Sequence, residues 1–358
     1  MAETEEERTL RSACTRFLVG HGVRTAAELL GDIDASVEID RYGEGGVVAE
    51  LEAEVARLLG KPAALFLPTG TMAQQAALRV HADRRHRSTF VAHPACHLDW
   101  HEGRGYQRLH GLSLLPAGDL RRPLVAEDLS AVKEAPAALL IELPQRDLGG
   151  RLPAWEDLEA QVGWARSRGA AAHMDGARLW EAAAGYDRTP AEIAALFDTV
   201  YVSFYKGLGS ISGCCLAGEP DVVDEVGEWR RRHGGTAFGL WPYAASCLAS
   251  LRSRLPRMAE YYQQGLAIAD VLRGVPGVEL VPDPPHTSHL RIHVDRDAEG
   301  LRAASFRLAR ERQIWTFTRS APVDTPGVQC VELPVGDATL GFKPEEIGEL
   351  FAYLLTDL

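Results

Sequence analysis

The feature that most constrains this chain is a repeated alternation. Short apolar runs of strand length are each followed by a turn and a stretch of helical periodicity. From Val47 to Gly60 the apolar positions Val48, Leu51, Val55, Leu58 and Leu59 recur at helical spacing, with Gly60 as the stop. "AALFL" (63–67) then reads as a strand, and "PTGTMAQQAALRVHA" as a turn opening a helix. The same grammar continues through strands "STFVA" (88–92), "PAALLIEL" (136–143), "AAAHMDG" (170–176), "DTVYVSF" (198–204) and "GCCLAG" (213–218), with a helix at 155–169. Apolar strands separated by helices predict an α/β fold with a mostly parallel sheet, because parallel strands need crossover connections and are covered on both faces. Ligands of such sheets gather beyond the carboxyl ends of the strands.

The flanks differ. Residues 1–38 read as an N-terminal, mostly helical segment broken at "VGHGV", and residues 39–255 as the large α/β domain. From 256 a long helix is followed by "VELVPD", "HLRIHVD", "IWTFT" and "VQCVELPV", interleaved with the helix "EGLRAASFRLARER" and closed by "KPEEIGELFAYLLTDL". Residues 256–358 thus read as a smaller C-terminal α+β domain. The net charge of -12 argues against a nucleic-acid or anionic-membrane partner. No run is long and apolar enough to span a bilayer, and the acidic start "MAETEEERTLRSAC" is unlike a secretory signal, so a cytoplasmic location is expected. Six sparse cysteines without a C-x-x-C pair read as reduced thiols.

Three constellations carry chemistry. In "FLPTGTMAQQAAL", Gly70 permits a tight turn and Thr71 supplies a hydroxyl where a helix begins. That outlines a phosphate cup, although a simply capped helix would read the same way. In "HMDGARLWEA", strand alternation puts His173 and Asp175 on one face, with Arg178 just beyond. The carboxylate can hold a ring nitrogen protonated, and the arginine can clamp a carboxylate; an internal ion pair is the plain alternative. In "DTVYVSFYKGLGSISG", Lys206 stands between a strand and a glycine-rich turn, in a chain where only four of 38 basic residues are lysine. A lysine amine can form a Schiff base with an aldehyde. Cup, acid and amine together are the parts that pyridoxal 5'-phosphate requires. The histidines of "HPACHLDWHEG" (His93, His97, His101) lack a metal-ligand arrangement such as HExxH, so no metal is expected. His97 is the candidate for stacking on a planar cofactor and moving protons beside it.

The motifs "RYGEGGVVAELEAEVARLLGKPAALFLPTGTMAQQ", "CHLDWHE", "GGRLP", "HMDGARLWEA" and "YKGLG" occur in order between residues 39 and 213. In this the chain resembles the threonine aldolase and beta-eliminating lyase family of pyridoxal phosphate enzymes, of the aspartate aminotransferase (type I) fold class, with a seven-stranded sheet. The resemblance implies that Lys206 bears the Schiff base, Asp175 pairs with the pyridine nitrogen, His97 stacks on the ring, Gly70 and Thr71 hold the phosphate, and Arg178 contacts the substrate carboxylate. It also implies a homodimer or homotetramer, with "YGE" (Tyr42 to Glu44) reaching toward a subunit boundary.

The departures are "ELPQR" (142–146) where the family has "ENTHN", Tyr205 where serine commonly precedes the lysine, "GGTAF" (234–238) without its arginine, and no arginine in "VQCVELPV". Arg319 is a possible replacement for the last. The expected reaction is cleavage of the Cα–Cβ bond of a small β-hydroxy amino acid to glycine and an aldehyde, with Arg178 orienting the substrate and His97 accepting the hydroxyl proton. Beta-elimination, transamination and a non-catalytic cofactor-binding protein are the alternatives.

Overall fold

The computed structural model describes residues 4–317 and 319–356. It comprises two compact units. One is Ala26–Pro256; the other joins the residues before Ala26 to those from Arg257 onward.

The first unit is built on a seven-stranded sheet of β1 (Ala63–Leu67), β2 (Thr89–Ala92), β3 (Ser113–Pro116), β4 (Ala138–Glu142), β5 (Ala171–Gly176), β6 (Thr199–Ser203) and β7 (Cys214–Gly218), in the order β1-β7-β6-β5-β4-β2-β3. All neighbours are parallel except the two pairs made by β7. The mostly parallel sheet expected from the alternation is therefore present. Every residue of β4, β5, β6 and β7 is buried. That is why these strands read as continuous apolar runs rather than as alternating ones.

Helix α1 (Gly46–Leu59) buries Val47, Val48, Leu51, Val55 and Leu59, and ends where Gly60 turns left-handed at φ 60°. Helix α2 (Gly70–Arg85) follows β1 directly; the Thr69 side chain caps it by accepting from the Met72 N–H at 3.3 Å. Helices α3 (Trp155–Ser167) and α4 (Leu179–Tyr186) flank β5 in sequence, and α5 (Pro220–Arg232) and α6 (Trp241–Arg254) follow β7.

Strand β3 escapes a sequence reading because "SLLP" is a sheet-edge strand whose two end residues are exposed. It offers too little apolar length to register.

The second unit carries a four-stranded antiparallel sheet of β8 (Val278–Leu280), β9 (His289–Asp295), β10 (Ser320–Pro322) and β11 (Val328–Pro334), in the order β10-β11-β9-β8. Its helices are α7 (Met258–Leu272), α8 (Ala298–Arg312) and α9 (Pro344–Leu355). Among the described residues before Gly46, helix covers only Glu5–Ala13 and Ala26–Gly31. Between them Arg16–Phe17 pairs in parallel with Ile314–Trp315. Cys14 packs with Phe306, Ala309 and Trp315, so this segment is held by the C-terminal chain rather than by its own helices.

The sheet that positions the site depends on close packing between β4 and α2, with Leu140 and Leu78 in one buried cluster. Leu140→Ala removes a fully buried side chain. It is expected to lower stability by about 2–5 kcal/mol, read as a lower urea midpoint at unchanged slope.

Candidate active site

The parallel strands deliver their carboxyl ends to one edge, and the chemistry-bearing residues stand there. Register places Glu142, at the end of β4, beside Asp175 near the end of β5. Lys206 follows three residues after β6, and Gly70 opens α2 three residues after β1. Thr71, His97, Asp175, Arg178 and Lys206 line a single cavity of about 220 Å³, together with Gln74, Glu102, Arg146, Tyr201 and Tyr205. Gly70 lies against it: a Cβ there would overlap the Tyr201 hydroxyl, so only glycine lets that phenol sit over the start of α2. Arg319 is exposed, immediately before β10 in the other unit.

Asp175 is 2% exposed and accepts from the Ala177 N–H at 3.1 Å. Burial raises its pKa, while Lys206, the Ala177 N–H, Arg178 and Gln74 all favour its charged form. Lys206 is largely withdrawn from water, which lowers its pKa; Arg178 lowers it further, and the carboxyls of Asp175, Glu142 and Glu181 act the other way. An amine in such surroundings reaches its unprotonated, nucleophilic form more readily than a surface lysine. Arg178 precedes α4, and its guanidinium closes no hydrogen bond with a described residue.

His97 begins a single-turn helix (His97–Trp100). Its pKa is pushed down to about 4 by burial first, then by Lys206 and His101. The ring is therefore a neutral base at physiological pH. Its Nε2 lies 3.9 Å from Glu102 Oε1. Glu102 is itself pushed up to about 7, by burial and then by Asp175. Its Oε1 accepts from the Thr71 hydroxyl at 3.0 Å, and its Oε2 is buried without a partner. His93 has a different part: Nε2 donates to the Asp119 and Arg122 carbonyls at 2.8 and 3.1 Å, and Nδ1 accepts from the Ala95 N–H. His97, His101 and Asp147 bring ligand-type atoms within 4.8 Å of one another, with His101 and Asp147 already hydrogen-bonded at 2.9 Å.

Sequence reasoning missed Gln74, Glu102, Glu142, Arg146, Tyr201 and Tyr205 as parts of this region. Glu142 accepts from the backbone N–H groups of His97 and Arg146 and from Gln145 Nε2, tying the His97 turn to the loop after β4. It and Arg146 both fall in "ELPQR", the stretch that departs from the family pattern. That departure was the available signal. A larger, open cleft of about 920 Å³, lined among others by Tyr42, Glu44, Arg230 and Thr236, contains none of the groups above.

Comparison with known proteins identifies relatives of the whole chain. Residues 24–296 match the protein family described as beta-eliminating lyase. The low specificity L-threonine aldolase of Escherichia coli K12 is 32% identical over 67% of this chain and 73% of its own length. The low-specificity L-threonine aldolase 1 of Arabidopsis thaliana is 27% identical over 69% of this chain and 72% of its own. A crystal structure from Listeria monocytogenes EGD-E, provisionally named an L-allo-threonine aldolase, superposes with a TM-score of 0.91 at 36% identity, covering 98% of this chain and 99% of that one.

The Glu102 carboxyl has a sign-determined effect on stability. Its folded pKa of about 7 exceeds the ordinary 4.5, so the native state keeps a proton that the unfolded chain releases between those values. Stability is therefore lost as pH rises across that window. Glu102→Gln removes the effect. The variant should match the parent near pH 4 and exceed it at pH 8 by on the order of 1–3 kcal/mol in urea unfolding of the cofactor-free protein.

Proposed function

The chain belongs to the beta-eliminating lyase family of pyridoxal phosphate-dependent enzymes, and from that premise we propose that it cleaves the Cα–Cβ bond of a β-hydroxy amino acid, releasing glycine and an aldehyde. The observation that carries this reading is the gathering of a half-buried amine (Lys206), a buried carboxyl (Asp175), the Arg178 guanidinium, which closes no hydrogen bond with a described residue, and a helix N-terminus around one cavity. The threonine aldolase names of the relatives support the reaction.

The residues present suit the cofactor. The cavity contains two buried polar atoms without partners, Gln74 Nε2 and Glu102 Oε2, as a site built for a polar guest would. The start of α2, with Gly70 and Thr71, would hold the phosphate. Asp175 would face the ring nitrogen, and Lys206 would hold the aldehyde carbon. When bound, the cofactor supplies an electron sink for the pair left at the substrate Cα.

The chain's own residues do the remainder. Arg178 binds the α-carboxylate by a two-pronged contact, and so sets which bond at Cα is aligned for breaking. His97, neutral above about pH 4, takes the proton of the β-hydroxyl. Glu102, with its pKa near 7 and its oxygen 3.9 Å from His97 Nε2, is placed to stabilise the imidazolium that results. The same proposal places the enzyme in the cytoplasm as a homodimer or homotetramer. The exposed Tyr42 and Phe238 rings, stacked edge-to-face at 5.3 Å, support self-association, which light scattering would test.

Two measurements test the reading. Borohydride reduction of the loaded protein, followed by digestion and mass analysis, should place the pyridoxyl mass on the peptide containing Lys206. The same preparation, incubated with threonine, allo-threonine and phenylserine, should yield glycine and aldehyde in equal amounts; a keto acid with ammonia would overturn the assignment.

His97→Asn keeps a planar polar amide but removes the base. It should lower kcat by about 10²–10⁴ with much smaller change in cofactor affinity, measured by steady-state kinetics beside a cofactor titration.

A further inference from the structure

From Gln74 in the cavity wall, a line of polar side chains that the proposed chemistry does not use leads to Arg85. Gln74 Oε1 lies 2.6 Å from His173 Nε2, His173 Nδ1 lies 2.8 Å from Thr199 Oγ1, and Thr199 Oγ1 lies 2.8 Å from His81 Nε2. His81 Nδ1 then lies 3.4 Å from an Arg85 guanidinium nitrogen. Gln74, His81, His173 and Thr199 are each at most 2% exposed. The line crosses three elements: Gln74, His81 and Arg85 stand on α2, His173 on β5, and Thr199 opposite it on β6. We propose that these residues form one polarised hydrogen-bond chain, oriented from Arg85, that turns the Gln74 amide N–H toward Asp175 and so holds that carboxylate as an acceptor.

The direction follows from counting protons. Both imidazoles are buried, which keeps them neutral, so each carries a single N–H. The threonine has one hydroxyl proton for two neighbours. Within these side-chain contacts alone, two self-consistent arrangements exist. In the first, His81 Nε2–H donates to Thr199, Thr199 donates to His173 Nδ1, and His173 Nε2–H donates to the Gln74 carbonyl. The Gln74 amide N–H then faces Asp175. In the second, every bond reverses. The Gln74 carbonyl meets Asp175, which must then be protonated, and His81 Nδ1–H points at Arg85.

Arginine can only donate. It cannot accept from His81, so the second arrangement sets two donors against each other at the surface end. The first satisfies both ends. Arg85 is fixed in place by its Nε donating to the Gly169 carbonyl at 2.9 Å. At the inner end, Gln74 favours the charged form of Asp175 while its Nε2 still lacks a closed hydrogen bond, so it retains capacity to tighten on an ionised carboxylate. Gln74, His173, Thr199 and His81 are accordingly positioning residues. The importance of Asp175 rests on the function proposed above; the orientation of the chain does not.

The first test is spectroscopic. In protein loaded with pyridoxal phosphate and labelled with ¹⁵N-histidine, long-range ¹H–¹⁵N spectra should show His81 and His173 both as neutral Nε2–H tautomers. Arg85→Met, at a half-buried position, should let the Nδ1–H form of His81 appear. An Nδ1–H or doubly protonated His173 in the parent protein overturns the proposal, as does an Arg85→Met spectrum without change at His81.

The second test is Thr199→Val, equal in shape but unable to relay. Cofactor Kd should rise and kcat fall, each by about ten-fold, with Thr199→Ser restoring both. Unchanged Kd and kcat in Thr199→Val, or no rescue by serine, also overturns it. If the tautomers are as stated while no β-hydroxy amino acid is cleaved, the catalytic reading fails and the orientation stands.

Discussion

A carboxylate taken out of water at the end of a central strand governs the structure around it. Asp175 sits on β5 with strands on both sides, 2% exposed. Burying such a charge costs several kcal/mol unless donors and cations surround it. Lys206, Arg178 and the Ala177 N–H converge on it for that reason. The adjacent strand end pays the corresponding penalty: Glu142, in register with Asp175, is pushed up to about 8 by burial and by Asp175 itself. Burial raises both carboxyls, and each disfavours ionisation of the other, while Lys206 and Arg178 oppose the rise at Asp175. Glu142 is the fastener that holds the His97 turn and the loop carrying Arg146.

Burial acts likewise on two other groups that line the cavity. His97 and Glu102 have pKa values displaced in opposite directions, down to about 4 and up to about 7. Withdrawal from water drives both shifts, because it disfavours whichever form is charged. The outcome is a neutral imidazole beside a weakly acidic carboxyl, a pairing that can accept a proton and stabilise it without a large change in local charge. Pairs of titratable groups pushed apart in this way mark functional sites.

The comparisons show how sequence and architecture diverge along the chain. The Escherichia coli relative aligns with two thirds of this chain, and the family match ends at residue 296, yet the Listeria structure superposes over 98%. An antiparallel sheet packed against helices needs a burial pattern more than particular residues.

Much of this protein was legible in the sequence. Continuous apolar runs identify the buried strands β4 to β7, because a parallel sheet covered on both faces has no polar alternation to display. The order of the motifs indicated the family, and Lys206, Asp175, Arg178, His97 and Thr71 do line one cavity. Edge strand β3 was not legible, having too few buried positions. Glu102, Tyr201 and Gln74 were not legible either, because their importance comes from neighbours distant in sequence: Thr71 for Glu102, Gly70 for Tyr201, and His173 for Gln74. By itself, the sequence determined the strands, their helices and the reactive residue types, since these follow from local periodicity and local motifs. Only the tertiary structure decided which carboxyls are taken out of water and which buried polar groups meet, because both depend on desolvation and on hydrogen-bond partners that folding brings together.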